Sequence, residues 1–280
     1  MTGYILFRVL HFLATKLPLK AGYAVATYLS VLKFYISPRD RKAVIANLKR
    51  ILPPSEQKRI NHQAKVVFIN FGKYLLEFFR FTAADKGALT RLIKVEGIEY
   101  IDAALKNGNG AIILSAHIGN WEMGGILMAL IGYPMLAVAL PHRDHKVNSL
   151  FNAQREKMGV VVAPSLGIGV RRIYEALKGN RLVALVGDRD FTNAGERLDF
   201  LGASKVIPRG PAVISMRTKA PIIPGFLIRK PDDSFVLEFS EPLPRMEDEM
   251  MCMKVYAKLI EKKIQQYPRQ WLLFREFWKE

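Results

Sequence analysis

Two short stretches hold residues whose types and spacing could do chemistry. SAHIGNWE at 115–122 follows the apolar run AIIL and places Glu122 five positions after His117. GDRDF at 187–191 follows RLVALV and carries Asp188, Arg189 and Asp190. A histidine whose tautomer is held by a carboxylate, and whose imidazolium that carboxylate stabilises, is equipped as a general base. Residues five apart on one helix point in different directions, so the pairing needs His117 in a turn and Glu122 in the first helical turn. Asn120 is a suitable cap for a helix beginning at Trp121. Glu122 then reaches back to one imidazole nitrogen, and the other faces a cleft. The same spacing also fits a satisfied polar turn, and five histidines in an ordinary mixture of acids can supply one such pair by chance. Paired aspartates would suit a divalent cation, but no further ligands accompany them and no metal is expected. The histidines of HRDH at 142–145 read as a polar loop.

The surrounding pattern decides where these residues sit. From residue 94 short apolar runs alternate with helical stretches: KVEGIEY, AIILSA, MLAVAL, VVVAP, RLVALVGD, PIIPGFLIR and SFVLEFS serve as strands. The segments between them, such as WEMGGILMAL, HKVNSLFNAQREKMG and IGVRRIYEALKGN, serve as helices. This alternation predicts an α/β domain with a largely parallel central sheet flanked by helices. His117 and Asp188 both follow strands, at the carboxyl ends where open α/β sheets gather ligands. Upstream, Ser37-Pro38 opens one helix and Ser55 is a plausible cap for a second. On that second helix Ile60, Ala64, Val67, Phe71, Tyr74 and Phe78 form an apolar face, with Asn70, Lys73, Glu77 and Arg80 on another. The Met- and Leu-rich helix EMGGILMALIG could line an apolar groove, and Gly124-Gly125 would allow close approach to it.

Residues 1–40 are apolar and aromatic but broken by Arg8, His11, Lys16, Lys20 and Lys33. The longest uncharged stretch is well short of the ~20 residues a membrane-spanning helix needs. A helical pair lying in the membrane interface fits, with the cations reaching for headgroups, and packing on the main domain is the alternative. Residues 41–280 then form one domain. The formal net charge is +17 and the pI near 9.9, a field that favours an anionic partner such as a membrane face, a phosphorylated substrate, an acidic carrier protein or nucleic acid. The single cysteine, Cys252, cannot form an internal disulfide and reads as a buried core residue, which points to a cytosolic environment.

NGNGAIILSAHIGNWE resembles the signature of the lipid A late acyltransferases, within the lysophospholipid acyltransferase superfamily, which carry a His-x4-Asp/Glu motif. Arg41, Asn47 and Leu48 in RKAVIANL match an early pattern of that family. GDRDF is similar to its Asp-x-Asp segment, in the version of phosphatidylinositol mannoside acyltransferases. FLG at 200–202 with PRGPA and APIIP, and then YPRQWLLF, resemble later blocks. The family's Pro-Phe-Phe-Gly is DFLG here, and its C-terminal arginine pair is replaced by Arg275-Glu276-Phe277. The resemblance implies a glycerol-3-phosphate acyltransferase-like fold and an O-acyltransferase on the cytoplasmic face of a bacterial inner membrane. The donor would be acyl-carrier protein or acyl-CoA, and the acceptor a glycolipid hydroxyl, first a lipid A precursor and alternatively a phosphatidylinositol mannoside or a lysophospholipid. In that reading His117 deprotonates the hydroxyl, Glu122 orients His117, and no cofactor or covalent acyl-enzyme is needed. Arg155, backbone amides near Gly119, or Arg209 would stabilise the oxyanion, with Asp188, Arg189 and Asp190 in support. A non-catalytic basic module for membranes or nucleic acid explains the charge but not the two motifs, and no nucleic-acid-binding signature is present.

Overall fold

The computed structural model describes residues 10–82, 86–142, 144–165, 167–191 and 194–279. The first nine residues of the N-terminal segment lie outside these.

Helices come first along the chain: α1 (Leu19–Ile36), α2 (Pro38–Ile51), the single turn α3 (Pro54–Gln57), α4 (Ile60–Arg80) and α5 (Lys86–Leu92). Then β1 (Ile93–Glu96), α6 (Ile98–Lys106), β2 (Ala111–Ser115), α7 (Trp121–Leu130), β3 (Met135–Ala139), α8 (His145–Lys157), β4 (Val161–Pro164), α9 (Ile168–Lys178) and β5 (Leu182–Val186) alternate. The chain continues through β6 (Glu196–Phe200), β7 (Ala203–Ile207), α10 (Gly210–Thr218), β8 (Ile222–Arg229), β9 (Phe235–Phe239) and α11 (Glu249–Gln266). Seven strands make one sheet in the order β1-β9-β8-β2-β5-β3-β4. Every neighbouring pair is parallel except β8 with β9, so the sheet is mixed but largely parallel, as the alternation predicts.

The central strands β2 and β5 are apolar because both faces of the sheet are covered, whereas the edge strand β1 carries Lys94 and Glu96. Successive residues of β2 point to opposite sides: Ile112 and Leu114 join the core under α9, α10 and α11, while Ala111 and Ile113 join the one under α4, α6, α7 and α8. All five residues of β2 are buried, which marks it as the central strand.

Three local expectations are revised. Ser55 caps nothing: it lies inside the turn α3, and α4 starts at Ile60 after Arg59. Glu77, grouped with Asn70, Lys73 and Arg80 on the polar face of an amphipathic helix, is buried against other polar groups. A two-stranded antiparallel hairpin, β6–β7, stands where no strand was expected. Its turn is Leu201–Gly202, both at positive φ (53° and 73°), the backbone that two-residue hairpins of the primed type require. The FLG block is therefore a hairpin corner.

Helix α1 packs on α4 through small residues. A Cβ built at Gly72 would sit 2.0 Å from the Ser30 hydroxyl and 3.1 Å from the Ala26 carbonyl. Gly72→Ala should therefore overpack this contact at a cost of about 1–3 kcal/mol, seen as a lower melting temperature. Gly125→Ala, whose Cβ would meet nothing within 4 Å, should leave the melting temperature unchanged or raise it.

Candidate active site

Strand register brings the first two site residues together. Strands β2 and β5 are parallel neighbours in which Ser115 pairs with Val186. Two residues further on, His117 and Asp188 stand side by side beyond the strand ends. The Asp188 carboxylate lies 2.8 Å from His117 Nδ1 and accepts the backbone N–H of His117 at 3.3 Å. Its other oxygen accepts the indole N–H of Trp271 at 2.9 Å. Asp188 is fully buried, and burial by itself would raise its pKa. The positive field of the imidazole, with the hydrogen bonds from His117 and Trp271, outweighs that and holds the carboxyl below its ordinary value. An ionised carboxylate on Nδ1 leaves Nε2 as the exposed ring nitrogen. Trp121 and Phe191 approach the ring edge-on.

Glu122 is elsewhere. Asn120 does cap α7, its side-chain oxygen accepting the Met123 N–H at 3.0 Å, so Glu122 sits in the first helical turn as expected. From there it points to α8, where it receives Arg155 in a two-pronged pair: Nε to Oε2 at 2.8 Å and a terminal nitrogen to Oε1 at 2.6 Å. The expectation that Glu122 reaches back to His117 thus meets a different geometry. The register of β5 has already placed a carboxylate on Nδ1, and the start of α7 turns residue 122 away from residue 117. Arg155 is itself buried. Burial would lower its pKa, but the Glu122 carboxylate reverses the direction and keeps the guanidinium charged. A third N–H goes to Asn152 at 3.0 Å.

The turn carrying His117 is clamped from behind. Gly119 is at φ +63°, and a Cβ there would lie 1.9 Å from the Leu227 carbonyl of β8, so only glycine fits. The Gly119 N–H donates to Gln270 (2.9 Å) and the Asn120 N–H to Leu227 (3.1 Å), while the His117 carbonyl accepts from Leu272 (2.8 Å). These amides are committed to holding the turn, so they are not the oxyanion donors considered from sequence. Trp271, Gln270 and Leu272 all come from YPRQWLL. Asn47 of α2 fixes the continuation of that segment by donating to the Arg275 carbonyl and accepting from the Phe277 N–H. Arg41 donates to the carbonyls of Phe34 and Tyr35 at the end of α1.

Asp190 accepts the Gly195 N–H at 3.1 Å, shaping the loop after β5, and Arg189 lies over the Phe191 ring. Arg209 pairs with Glu249 at 2.7 Å on the rim. A cavity of about 950 Å³ joins these residues, at the upper end of the roughly 300–1,000 Å³ typical of ligand sites. His117, Glu122 and Arg155 open onto it, as do Arg189, Asp190 and Arg209. Its inner wall is apolar: Ile113, Gly124, Gly125, Met128, Leu237 and Phe239. His142 also lines it, its ring tilted against Phe151; burial and the nearby Arg155 lower its pKa.

Sequence reasoning missed Trp271, Gln270 and Glu77. Glu77 is joined by Tyr23 (2.7 Å), Asn120 (2.7 Å) and Arg229. No pattern in the sequence signals that three distant donors meet one carboxylate.

Trp271→Phe should remove one hydrogen bond from the buried, ionised Asp188 and cost about 1–3 kcal/mol. Because that bond is stronger to the carboxylate than to the neutral acid, the deficit should be full above about pH 4, the ordinary carboxyl range, and shrink as pH falls through the depressed value of the folded state. Denaturant melts of both proteins from pH 7 to acid check this.

The family model for bacterial lipid A biosynthesis acyltransferases matches residues 1–280. A phosphatidylinositol mannoside acyltransferase of Mycolicibacterium smegmatis is 28% identical over 238 residues, covering 83% of this chain and 77% of its own. The Mycobacterium tuberculosis protein of the same name is 32% identical over 161 residues, 55% of this chain and 51% of its own. A lipid A biosynthesis palmitoleoyltransferase of Escherichia coli is 27% identical over 184 residues, 64% of this chain and 58% of its own. With the family match running the whole length of the chain, this protein belongs to the bacterial lipid A biosynthesis acyltransferase family and is an acyltransferase.

Proposed function

We propose that the protein moves a fatty acyl chain from a thioester donor, acyl-carrier protein or acyl-CoA, to a hydroxyl of a membrane glycolipid. The observation that carries this reading is His117, paired with the buried Asp188, opening onto a largely apolar cavity that several arginines also line. His117 Nε2 takes the proton of the acceptor hydroxyl as its oxygen attacks the thioester carbonyl. Asp188 keeps the ring oriented and offsets the imidazolium charge. The tetrahedral oxyanion is met by Arg155, whose guanidinium has N–H groups beyond the three given to Glu122 and Asn152. Collapse breaks the C–S bond, and the leaving sulfur takes the proton from His117. Glu122 acts through Arg155 rather than through the histidine. The apolar wall along α7 receives the acyl chain.

Arg189, Arg209, Arg217 and Arg275 line the same cavity and suit an anionic headgroup or donor. The family description makes a lipid A precursor the first acceptor to test. The longer match to a phosphatidylinositol mannoside acyltransferase favours that lipid as a second reading.

We further propose that residues 1–40 dock on the bilayer and 41–280 carry the reaction, on a cytoplasmic inner-membrane face. Among the described residues no helix is long and apolar enough to cross a membrane. Helix α1 nevertheless turns Val25, Tyr28, Leu29, Leu32, Tyr35 and Ile36 outward, with Tyr28 at 71% and Ile36 at 69% exposure. An apolar face beside lysines suits an interfacial helix.

Purified protein given radiolabelled acyl-carrier protein or acyl-CoA should acylate one of the two glycolipids. His117→Ala should lower the rate about 10²–10⁴-fold, the usual worth of a general base; full retention would refute that role. Gly125→Leu should shift preference to shorter acyl chains, read by competing donors of different length. Leu29→Asp with Leu32→Asp should reduce sedimentation with anionic vesicles and leave the fold intact.

A further inference from the structure

The polar centre at Glu77 has no part in the reaction as described, yet it touches the turn between the two site pairs. Asn120 stands after His117 and before Glu122. Its side-chain oxygen accepts the Met123 N–H and so fixes the first turn of α7, which aims Glu122 at Arg155. Its side-chain nitrogen donates to Glu77 Oε2 at 2.7 Å. Both groups are buried, at 1% and 5% exposure, so water does not compete for this bond. The opposite oxygen of Glu77 accepts from Tyr23 of α1 and from Arg229 of β8. Arg229 is anchored again by Asp233, which also binds Lys73.

A cap needs only an oxygen. Serine, threonine or aspartate at 120 would cap α7 equally well. What asparagine adds is a second arm, an amide N–H that reaches Glu77 while the oxygen serves the cap. The amide is thereby prevented from rotating, and the turn carrying His117 is tied to α4 and β8 as well as to the C-terminal segment.

We propose that Glu77 and Asn120 are positioning residues, a buried carboxylate–amide tie that sets the position of His117 relative to Arg155. The role rests on the transferase reading of His117. It deepens that reading by naming what keeps the two pairs in a fixed relation. Positioning errors near 1 Å at a reacting centre lower rates about a hundredfold.

Asn120→Ser tests the tie, because its single hydroxyl can serve the cap while the shorter side chain withdraws the amide arm from Glu77, which stays paired with Tyr23 and Arg229. The turnover number should fall about 10- to 100-fold while KM for donor and acceptor stays within about twofold. The rate at which diethyl pyrocarbonate labels His117, followed by mass spectrometry without substrates, should rise several-fold as the ring loosens. Glu77→Gln should behave alike. Asp233→Asn removes an outer partner of the same Arg229 and serves as the stability control: it should lower the melting temperature yet keep turnover and labelling at wild-type values. Wild-type turnover and labelling in Asn120→Ser would overturn the proposal. So would a loss in Asp233→Asn as large as in Asn120→Ser, since the effect would then follow stability. If the wild-type protein transfers no acyl group, the transferase reading fails, and the labelling rates decide the tie by themselves.

Discussion

Two adjacent parallel strands that end in register impose the chemistry of this molecule. A parallel pair holds residues of equal offset at the same height, so once Ala111 lies beside Leu182 every later pair follows, out to Ser115 and Val186. His117 and Asp188 are the next residues on that ladder whose side chains can meet. The sheet therefore delivers a carboxylate to the imidazole without help from the local turn. The turn is then free to use its own acid, Glu122, for a different cation. Two acid–base pairs at one cavity result, one between strands and one between helices.

Placing an ionised carboxylate in the core is costly unless donors surround it. Asp188 meets this with the histidine ring, a backbone N–H and the Trp271 indole. The third of these explains why the far C-terminal segment matters to a site built on β2 and β5. Trp271 reaches Asp188 only because Ile118 bridges to it, Gln270 holds Gly119, and Asn47 secures the chain beyond. Residues scattered from α2 to the C-terminus thus serve one hydrogen bond. Glu77 repeats the principle on the other side of the turn, where three donors satisfy a single carboxylate.

Much of the fold was legible because a largely parallel sheet buried on both faces writes itself as continuous apolar runs separated by amphipathic helices. The strands β2 and β5 were readable to within two residues of their ends at Ser115 and Val186, and so was the cap at Asn120. The hairpin β6–β7 was not, since its strands alternate polar and buried residues over only five positions each. His117, Asp188, Glu122 and Arg155 could each be picked out in the sequence as candidates, but their pairing could not. Spacing along the chain suggested the carboxylate nearest in sequence, whereas strand order, which no local pattern encodes, chose the one 71 residues away. The same blindness hid Glu77: four polar residues at helical spacing look like a solvated face until a distant arginine from β8 is brought against one of them.

The central claim is that Asp188, and not Glu122, sets the proton position on His117. Nitrogen-15 chemical shifts of the His117 ring report directly which nitrogen carries the proton. The wild-type protein and Glu122→Gln should both show a protonated Nδ1 in the neutral ring, and Asp188→Ala should lose that preference. A ring that keeps its Nδ1 proton in Asp188→Ala, or loses it in Glu122→Gln, would contradict the account.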